Sequence, residues 1–391
     1  PLNNLERWSH VLCPSCGIEA KRETDTMDTF MCSSWYFLRF ADPDNTEMPF
    51  SQSAINKWLP VNQYVGGIEH AILHLLYSRF ITKALKKNGL HDLDEPFEKL
   101  LTQGMVQGTT YINRNTGKYI KESDIEDCKN PIDPNTSEKL EIIYEKMSKS
   151  KYNGVEPSTV INRYGADTAR MFTLFKAPPE KDLEWDAADV EGQYRFLMRV
   201  WKLVIKYRNK DPLNKITASN EIAKALKLNT KDQVLKRSIH TAIKSITEDI
   251  EGGLQFNTAI SELMKLTNAM NENIDLVKNS IANESITTLI KLLAPFAPHI
   301  AEELWGRIGG ETSIHLESWP RYSPDSLVSD SFNLIIQIKG KVRGSIKATT
   351  NLGNKEIETI ALNSEIAKRW LNGKYPSRII VVPNKLVNLV P

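Results

Sequence analysis

The sequence predicts a multidomain chain: an α/β part with a parallel sheet, then an α-helical bundle, then a small α+β part. Three observations carry this reading. Strand-like and helix-like segments alternate up to about residue 180. From residue 187 to about 308, long glycine-poor stretches repeat apolar residues at helical spacing. After Trp319-Pro320 a hairpin signal, a helix pattern and a β-branched strand follow one another.

Taken in order, Tyr64-Val65-Gly66-Gly67 reads as a short strand running into a glycine turn. Residues 69–85 read as a helix with apolar positions at Ile72, Leu75, Leu76 and Phe80. Residues 100–106 give a second strand that ends in a loop. Between 109 and 145, Asn115-Thr116-Gly117 and Asn130-Pro131-Ile132-Asp133-Pro134-Asn135 are turn formers, and the stretch reads as a surface insertion. Phe196, Val200 and Val204 mark one helix of the bundle, and Ile260, Leu263 and Leu266 mark another. Residues 333–338 read as a strand, 341–346 as its hairpin partner, 356–371 as a helix and 377–382 as a further strand. The domains are therefore drawn at 1–185, 186–325 and 326–391, with no internal repeat.

Composition bounds the function classes. A chain 41% hydrophobic and 25% charged is ordinary globular protein. No apolar run approaches the ~20 residues needed to cross a bilayer. The first residues, Pro1-Leu2-Asn3-Asn4, show neither an initiator Met nor a signal-peptide pattern, so a cytoplasmic location and a piece of a longer protein are the expectations. Net charge is +2, from 50 basic and 48 acidic residues, which neither announces nor excludes a nucleic-acid partner. Cys13, Cys16, Cys32 and Cys128 are too few for a disulfide framework and fit a reducing compartment.

The chemistry is concentrated in Lys146-Met147-Ser148-Lys149-Ser150, followed by Lys151. Three ammonium groups and two hydroxyls on one short loop suit the oxygens of a triphosphate and the charge that builds on a departing pyrophosphate. A solvated basic turn is the bland alternative. His70 and His74 stand four apart, on one face of the predicted helix, at the carboxyl end of a predicted parallel strand, where ligands collect in open sheets. Ala71 follows His70, unlike the Glu of the zinc-protease pattern. Gly66 and Gly67 would let a nucleoside approach the backbone, and Glu69 could accept bonds from ribose hydroxyls or serve only as a helix-start charge. Cys13-Pro14-Ser15-Cys16-Gly17 is half of a zinc knuckle. His10 and Cys32 are the candidates to complete it, but their spacing is unlike a second knuckle, so zinc is not expected.

KMSKS is the second signature of class I aminoacyl-tRNA synthetases, and the flanking motifs resemble the leucyl-tRNA synthetases of bacterial type. The resemblance rests on Glu23-Thr24-Asp25-Thr26-Met27-Asp28-Thr29-Phe30 with Ser33-Ser34-Trp35-Tyr36, and on Gly66-Gly67-Ile68-Glu69-His70 with His74-Leu75-Leu76-Tyr77. Lys151-Tyr152-Asn153-Gly154-Val155, Tyr164-Gly165-Ala166-Asp167-Thr168-Ala169-Arg170 and Gly340-Lys341-Val342-Arg343-Gly344 extend it along nearly the whole chain, with 109–145 the poorest match.

The resemblance implies the second half of a Rossmann-like class I catalytic domain, a helical anticodon-binding-type bundle and a small C-terminal tRNA-binding domain. It implies leucine-pocket roles for Phe30, Ser33, Tyr36, His70 and His74; for Phe30 and Tyr36 ordinary core is the alternative. It implies ATP contacts at Gly66, Gly67, Glu69, Gly104, Met105, Val106 and Lys149, and transition-state roles for KMSKS, Lys149 above all. ATP, Mg²⁺, leucine and tRNA(Leu) are the implied ligands of a leucine–tRNA ligase that is monomeric when complete. Arg195, Arg199 and Lys202, and the hairpin's Lys339, Lys341 and Arg343, would meet phosphates; Lys on an exposed edge strand also serves solubility. The first signature, His-x-Gly-His, does not occur in these 391 residues, nor does an editing domain, so the chain alone is expected to be inactive. Two rivals stand beside this reading: a sister synthetase for valine, isoleucine or methionine, and a non-catalytic tRNA-binding module.

Overall fold

The computed structural model describes residues 2–210, 228–327, 331–350, 352–371, 373–383 and 385–391. Contacts divide the chain into two compact units. One holds residues 1–202, 248–261 and 295–300; the other holds 203–247, 262–294 and 301–391. No helix among the described residues is long and apolar enough to cross a membrane.

The first unit opens with α1 (Glu6–Ser9) and a small antiparallel hairpin, β1 (His10–Leu12) and β2 (Glu19–Lys21). Three short helices follow: α2 (Phe30–Ser33), α3 (Tyr36–Phe40) and α4 (Gln52–Trp58). Phe37, Leu38, Phe50 and Ile55 bury their side chains together beneath them. Strands β3 (Tyr64–Gly67) and β4 (Leu100–Gln103) then pair in parallel, Tyr64 opposite Leu100 and Gly67 opposite Gln103. Between them runs α5 (His74–Lys87), a crossover of the kind parallel strands require.

The helix expected over 69–85 starts five residues late. Ile68–His70 is a 3₁₀ turn and residues 71–73 a further turn, so His70 and His74 do not share a helix. Leu73 sits at φ −90°, ψ −90°, outside the helical region, and offers no capping side chain. Three of the four apolar positions also point outward: Ile72, Leu76 and Phe80 are 79, 57 and 66% exposed, while Leu75 is half-buried. Helical spacing marked the helix, but spacing alone says nothing about which neighbour covers the stripe.

Residues 109–145 are not a loose interruption. Strand β5 (Val106–Asn113) is central to a sheet ordered β6-β5-β7, with β6 (Lys118–Ile120) and β7 (Glu141–Lys146) antiparallel to it. A two-residue strand, β8 (Leu183–Glu184), pairs with β5 in parallel. Tyr111, Ile120, Ile125 and Leu140 form a core on this sheet. Asn115-Thr116-Gly117 is the expected turn, with Gly117 at φ +69°. Within the polar stretch Asp133, 2% exposed, and Glu138 both accept bonds from the Asn113 amide.

Helices α6 (Pro157–Tyr164) and α7 (Ala166–Lys176) meet at Gly165, whose φ of +85° explains the glycine. Among the described residues the helices that follow are α8 (Ala187–Lys210), α9 (Thr230–Glu251), α10 (Phe256–Asn273), α11 (Asn279–Leu293) and α12 (Pro298–Arg307). Phe196, Val200, Val204, Ile260, Leu263 and Leu266 are all buried, as the helical period required. From α7, the Asp167 carboxylate accepts the backbone N–H groups of His299 (3.3 Å) and Ile300 (2.7 Å) and reaches His299 Nδ1 at 2.8 Å. It thus satisfies donors that the first turn of α12 leaves open.

In the second unit, α13 (Pro324–Leu327) precedes a four-stranded sheet ordered β10-β9-β12-β11. Its strands are β9 (Ser331–Ile338), β10 (Lys341–Thr349), β11 (Arg378–Val382) and β12 (Leu386–Val390). β12 runs parallel to β9 and the other pairs are antiparallel. The β9–β10 turn places Lys339 at φ 51° and Gly340 at φ 76°, the positive pair a tight hairpin demands. The helix expected over 356–371 is two helices, α14 (Asn354–Asn363) and α15 (Glu365–Leu371). Ser364 breaks it: its hydroxyl donates to the Ala361 carbonyl at 2.6 Å and accepts the Ala367 N–H at 3.1 Å, capping the second helix. Ile357, Ala361, Ala367 and Leu371 close over Leu334, Ile336, Val387 and Leu389.

Asp167→Ala should cost about 0.5–2 kcal/mol, the usual range for a lost helix cap. Urea unfolding of the chain measures it; an unchanged midpoint would show that the cap is dispensable.

Candidate functional site

Strands β3 and β4 border a cavity of about 380 Å³ along most of their length. Val65, Gly66, Gly67, Leu100, Leu101 and Thr102 supply its strand wall; Phe30, Ser33, His70, His74 and Leu75 supply the helical side. Phe30 is held by an Asp28 side chain that accepts its N–H at 2.8 Å, and its ring stacks on Tyr77 with centroids 5.9 Å apart. His70 meets His74 edge-on at 6.4 Å. The wall is mostly apolar, with a few polar tips, as a small branched aliphatic group would need.

Four of the five residues expected around an amino-acid side chain line this cavity. Tyr36 does not: it lines a neighbouring groove with Phe40, Trp58 and Leu59 and reaches the cavity through a relay. Its hydroxyl lies 2.9 Å from the Tyr64 hydroxyl, which lies 2.5 Å from His74 Nε2. Tyr64 is the residue that sequence reasoning passed over. It begins the strand quoted for its glycines, and its ring stacks on Phe97 at 3.8 Å. Burial, then the Tyr36 hydrogen bond, raises its phenol pKa. Burial, then the neighbouring His70, lowers that of His74. Both shifts favour neutral groups, so the Tyr36–Tyr64–His74 relay holds without a formal charge.

Beside the cavity stands the Glu69 carboxylate. Its hydrogen bond with Lys146 Nζ, 2.9 Å long, is the main reason its pKa lies below the ordinary value. A Cβ at Gly67 would come within 2.2 Å of Glu69 Oε2, so the carboxylate can fold back only over a glycine. Nothing lies within 4 Å of a Cβ built at Gly66, which leaves open backbone for a ligand. The pair is half-exposed and solvent-screened, the kind that exchanges partners readily.

Lys146 is the last residue of β7, opposite Gln107 on β5. Met147 donates its N–H to the Val106 carbonyl at 3.0 Å. The loop then turns through a 3₁₀ segment, Lys149–Lys151, and Tyr152 at φ 56°. Ser148 and Ser150 hydroxyls lie 2.9 Å apart. Lys151 pairs with Glu145 at 2.8 Å, while Lys149 is exposed. Gly104, Met105 and Val106 do not line the cavity. Gly104 donates to the Pro179 carbonyl at 3.0 Å, and its Cβ would strike Lys181 at 2.1 Å; Met105 donates to Asp182 at 2.8 Å. These backbone donors are spent on the 179–182 segment.

The Cys13–Cys16 turn is tight: Gly17, at φ +74°, donates to the Cys13 carbonyl at 2.8 Å. Backbone N–H groups of Ser15 and then Cys16 lower the Cys13 pKa. Cys32 stands on α2 and His10 on β1. Among the described residues no group of three or more His, Cys, Asp or Glu side chains converges. Arg195, Arg199 and Lys202 are exposed along α8, and Arg195 reaches Glu191 at 3.3 Å. Lys339, Lys341 and Arg343 are exposed on the C-terminal hairpin, with Arg343 lying 3.7 Å over the Trp370 ring.

Residues 144–186 match the family profile of class I tRNA synthetases for Ile, Leu, Met and Val, and residues 232–359 match the anticodon-binding domain of tRNA ligases. The whole chain is 59% identical to a leucine–tRNA ligase of Synechococcus sp. (strain CC9605) and 60% identical to one of Prochlorococcus marinus (strain NATL2A). It covers 44% of each, so it spans less than half the length of the curated relatives it matches. Among solved structures, it resembles a leucyl-tRNA synthetase of Agrobacterium radiobacter K84 in complex with tRNA and LeuAMS, at 34% identity and TM-score 0.72. That match covers all of this chain and 46% of the other.

The lowered pKa of His74 has a measurable consequence. The folded chain takes up this proton below the ordinary value of 6.5, so the imidazole's contribution to stability is full above pH 6.5 and is lost as pH falls through the folded value. NMR titration of the ring should give a midpoint under 6.5; a midpoint above it would break the neutral Tyr64–His74 relay.

Proposed function

We propose that this chain, about 60% identical along its whole length to leucine–tRNA ligases, supplies the amino-acid cavity, the KMSKS loop and tRNA-contacting surfaces of an ATP-dependent leucine–tRNA ligase. One observation carries the reading. An apolar cavity along two parallel strands is lined by Gly67 and His70, and the residue between them in the turn, Glu69, already holds the first KMSKS lysine.

In this reading the leucine side chain occupies the space between Phe30, Ser33, His70 and His74, and the neutral Tyr36–Tyr64–His74 relay fixes that wall. Gly66 leaves the backbone open to a nucleoside, and Glu69 accepts ribose hydroxyls once it gives up Lys146. The leucine carboxylate attacks the α-phosphate of ATP, forming leucyl-adenylate and releasing pyrophosphate. A terminal ribose hydroxyl of tRNA(Leu) then takes the leucyl group. Lys149, exposed on its loop, and Lys146 neutralise charge on the leaving pyrophosphate, so catalysis is positioning plus electrostatic stabilisation. Mg²⁺ bound to the ATP phosphates would offset part of their charge beside Lys146 and Lys149. Exposed cations on α8 and on the C-terminal hairpin meet tRNA phosphates.

In a complete leucine–tRNA ligase carrying this chain, Lys149→Ala should lower kcat for leucine-dependent ATP–pyrophosphate exchange about 100-fold, with leucine KM little changed. A change confined to leucine KM would remove Lys149 from the transition state. The 391-residue chain itself should bind tRNA with an affinity that falls steeply between low and moderate salt. Deleting residues 331–391 should weaken that binding; equal titration curves at both salt concentrations would mark the basic hairpin as a soluble edge only.

A further inference from the structure

The most heavily bonded polar side chain near the KMSKS loop is one that the lysine-centred reading does not use. Asn153 is 7% exposed, three residues past the motif. Its Oδ1 accepts the Ser148 N–H at 2.8 Å, closing the neck of the loop. Its Nδ2 donates to Thr110 Oγ1 at 2.7 Å and to the Glu145 carbonyl at 3.2 Å, with the Lys146 and Gly108 carbonyls at 3.4 and 3.5 Å. Thr110, 1% exposed, passes its own proton to the Gly108 carbonyl at 3.1 Å. A Cβ at Gly108 would come within 2.1 Å of the Asn153 carbonyl oxygen, so the loop's far end lies directly on β5.

We propose that Asn153 is the positioning residue that locks the KMSKS loop onto β5 and β7 and so sets where Lys146 and Lys149 stand during amino-acid activation. The proposal rests on the functional reading above for the reaction, and on geometry alone for the lock. Only a short amide fits both ends of the arrangement. Its oxygen must face a backbone donor in the loop while its nitrogen faces a hydroxyl and carbonyls on the sheet. Aspartate has the same shape but replaces the donor with a charged acceptor, turned toward oxygens that are all acceptors or already committed. Residues that merely fill space tolerate that change; a residue that locks the loop does not.

The variants are Asn153→Asp and Thr110→Val, the second removing one partner while keeping the amide in case the first folds poorly. Hydrogen–deuterium exchange on the 391-residue chain reads the lock directly. Amides of residues 148–152 should exchange at least about tenfold faster in Asn153→Asp, and less so in Thr110→Val, while the α9 and α11 amides keep their protection. In the complete ligase, kcat for leucine-dependent pyrophosphate exchange should fall about 10–100-fold, with leucine KM within about twofold, because a misplacement near 1 Å costs that much in rate. Unchanged loop exchange in both variants would overturn the proposal. So would a loosened loop with an undiminished kcat. If the loop loosens but the unaltered complete protein shows no leucine-dependent exchange at all, the lock stands and the ligase reading fails.

Discussion

The antiparallel pairing of β5 with β7 decides where the reactive groups of this chain stand. Gln107 faces Lys146 at the end of that ladder, so the KMSKS loop is launched from a fixed strand end. β5 itself follows β4 after only Gly104 and Met105, and β4 pairs with β3, whose end carries Gly67 and the turn to Glu69. Two separate ladders, joined through the chain at Gly104-Met105, therefore bring two segments 77 residues apart to a 2.9 Å contact. Moving β7 by one residue would turn its side chains to the other face and pull Lys146 off Glu69.

Around that frame, buried polar groups define positions that apolar packing leaves loose. Asn113 gathers Asp133 and Glu138 and gives the 109–145 sheet its order. Asn153 closes the KMSKS loop, and Asp167 caps the start of α12. Each sits in a low-dielectric setting where an unmade bond is costly, so each admits a single arrangement. The Lys146–Glu69 pair differs in kind. It is half-exposed and weakly held, so it fixes no single arrangement by itself.

Periodicity served the helices and strands better than it served their surroundings. Phe196, Val200, Ile260 and Leu263 are buried as their spacing required. Ile72, Leu76 and Phe80 have the same spacing and are exposed, because burial depends on what lies opposite. Residues 109–145 read as an insertion because turn formers and charges dominate them, and two of those charges, Asp133 and Glu138, order a sheet by bonding Asn113. Ser364 split one expected helix into two through two local hydrogen bonds, a signal present in the sequence but indistinguishable there from a tolerated helical serine.

By itself the sequence determined the order of α/β, helical and α+β parts, the KMSKS loop, and the residues Phe30, Ser33, His70 and His74 that line the cavity. These are local facts: residue types, spacings and short motifs. Tertiary structure alone decided that Tyr36 acts through Tyr64 and that Gly104 and Met105 spend their backbone donors on residues 179–182. It alone decided that Lys146 meets Glu69 and that Asn153 binds both the loop and the sheet. Those outcomes join segments up to 77 residues apart, and what joins them is strand register and the need to satisfy buried donors, neither of which is written at any single position.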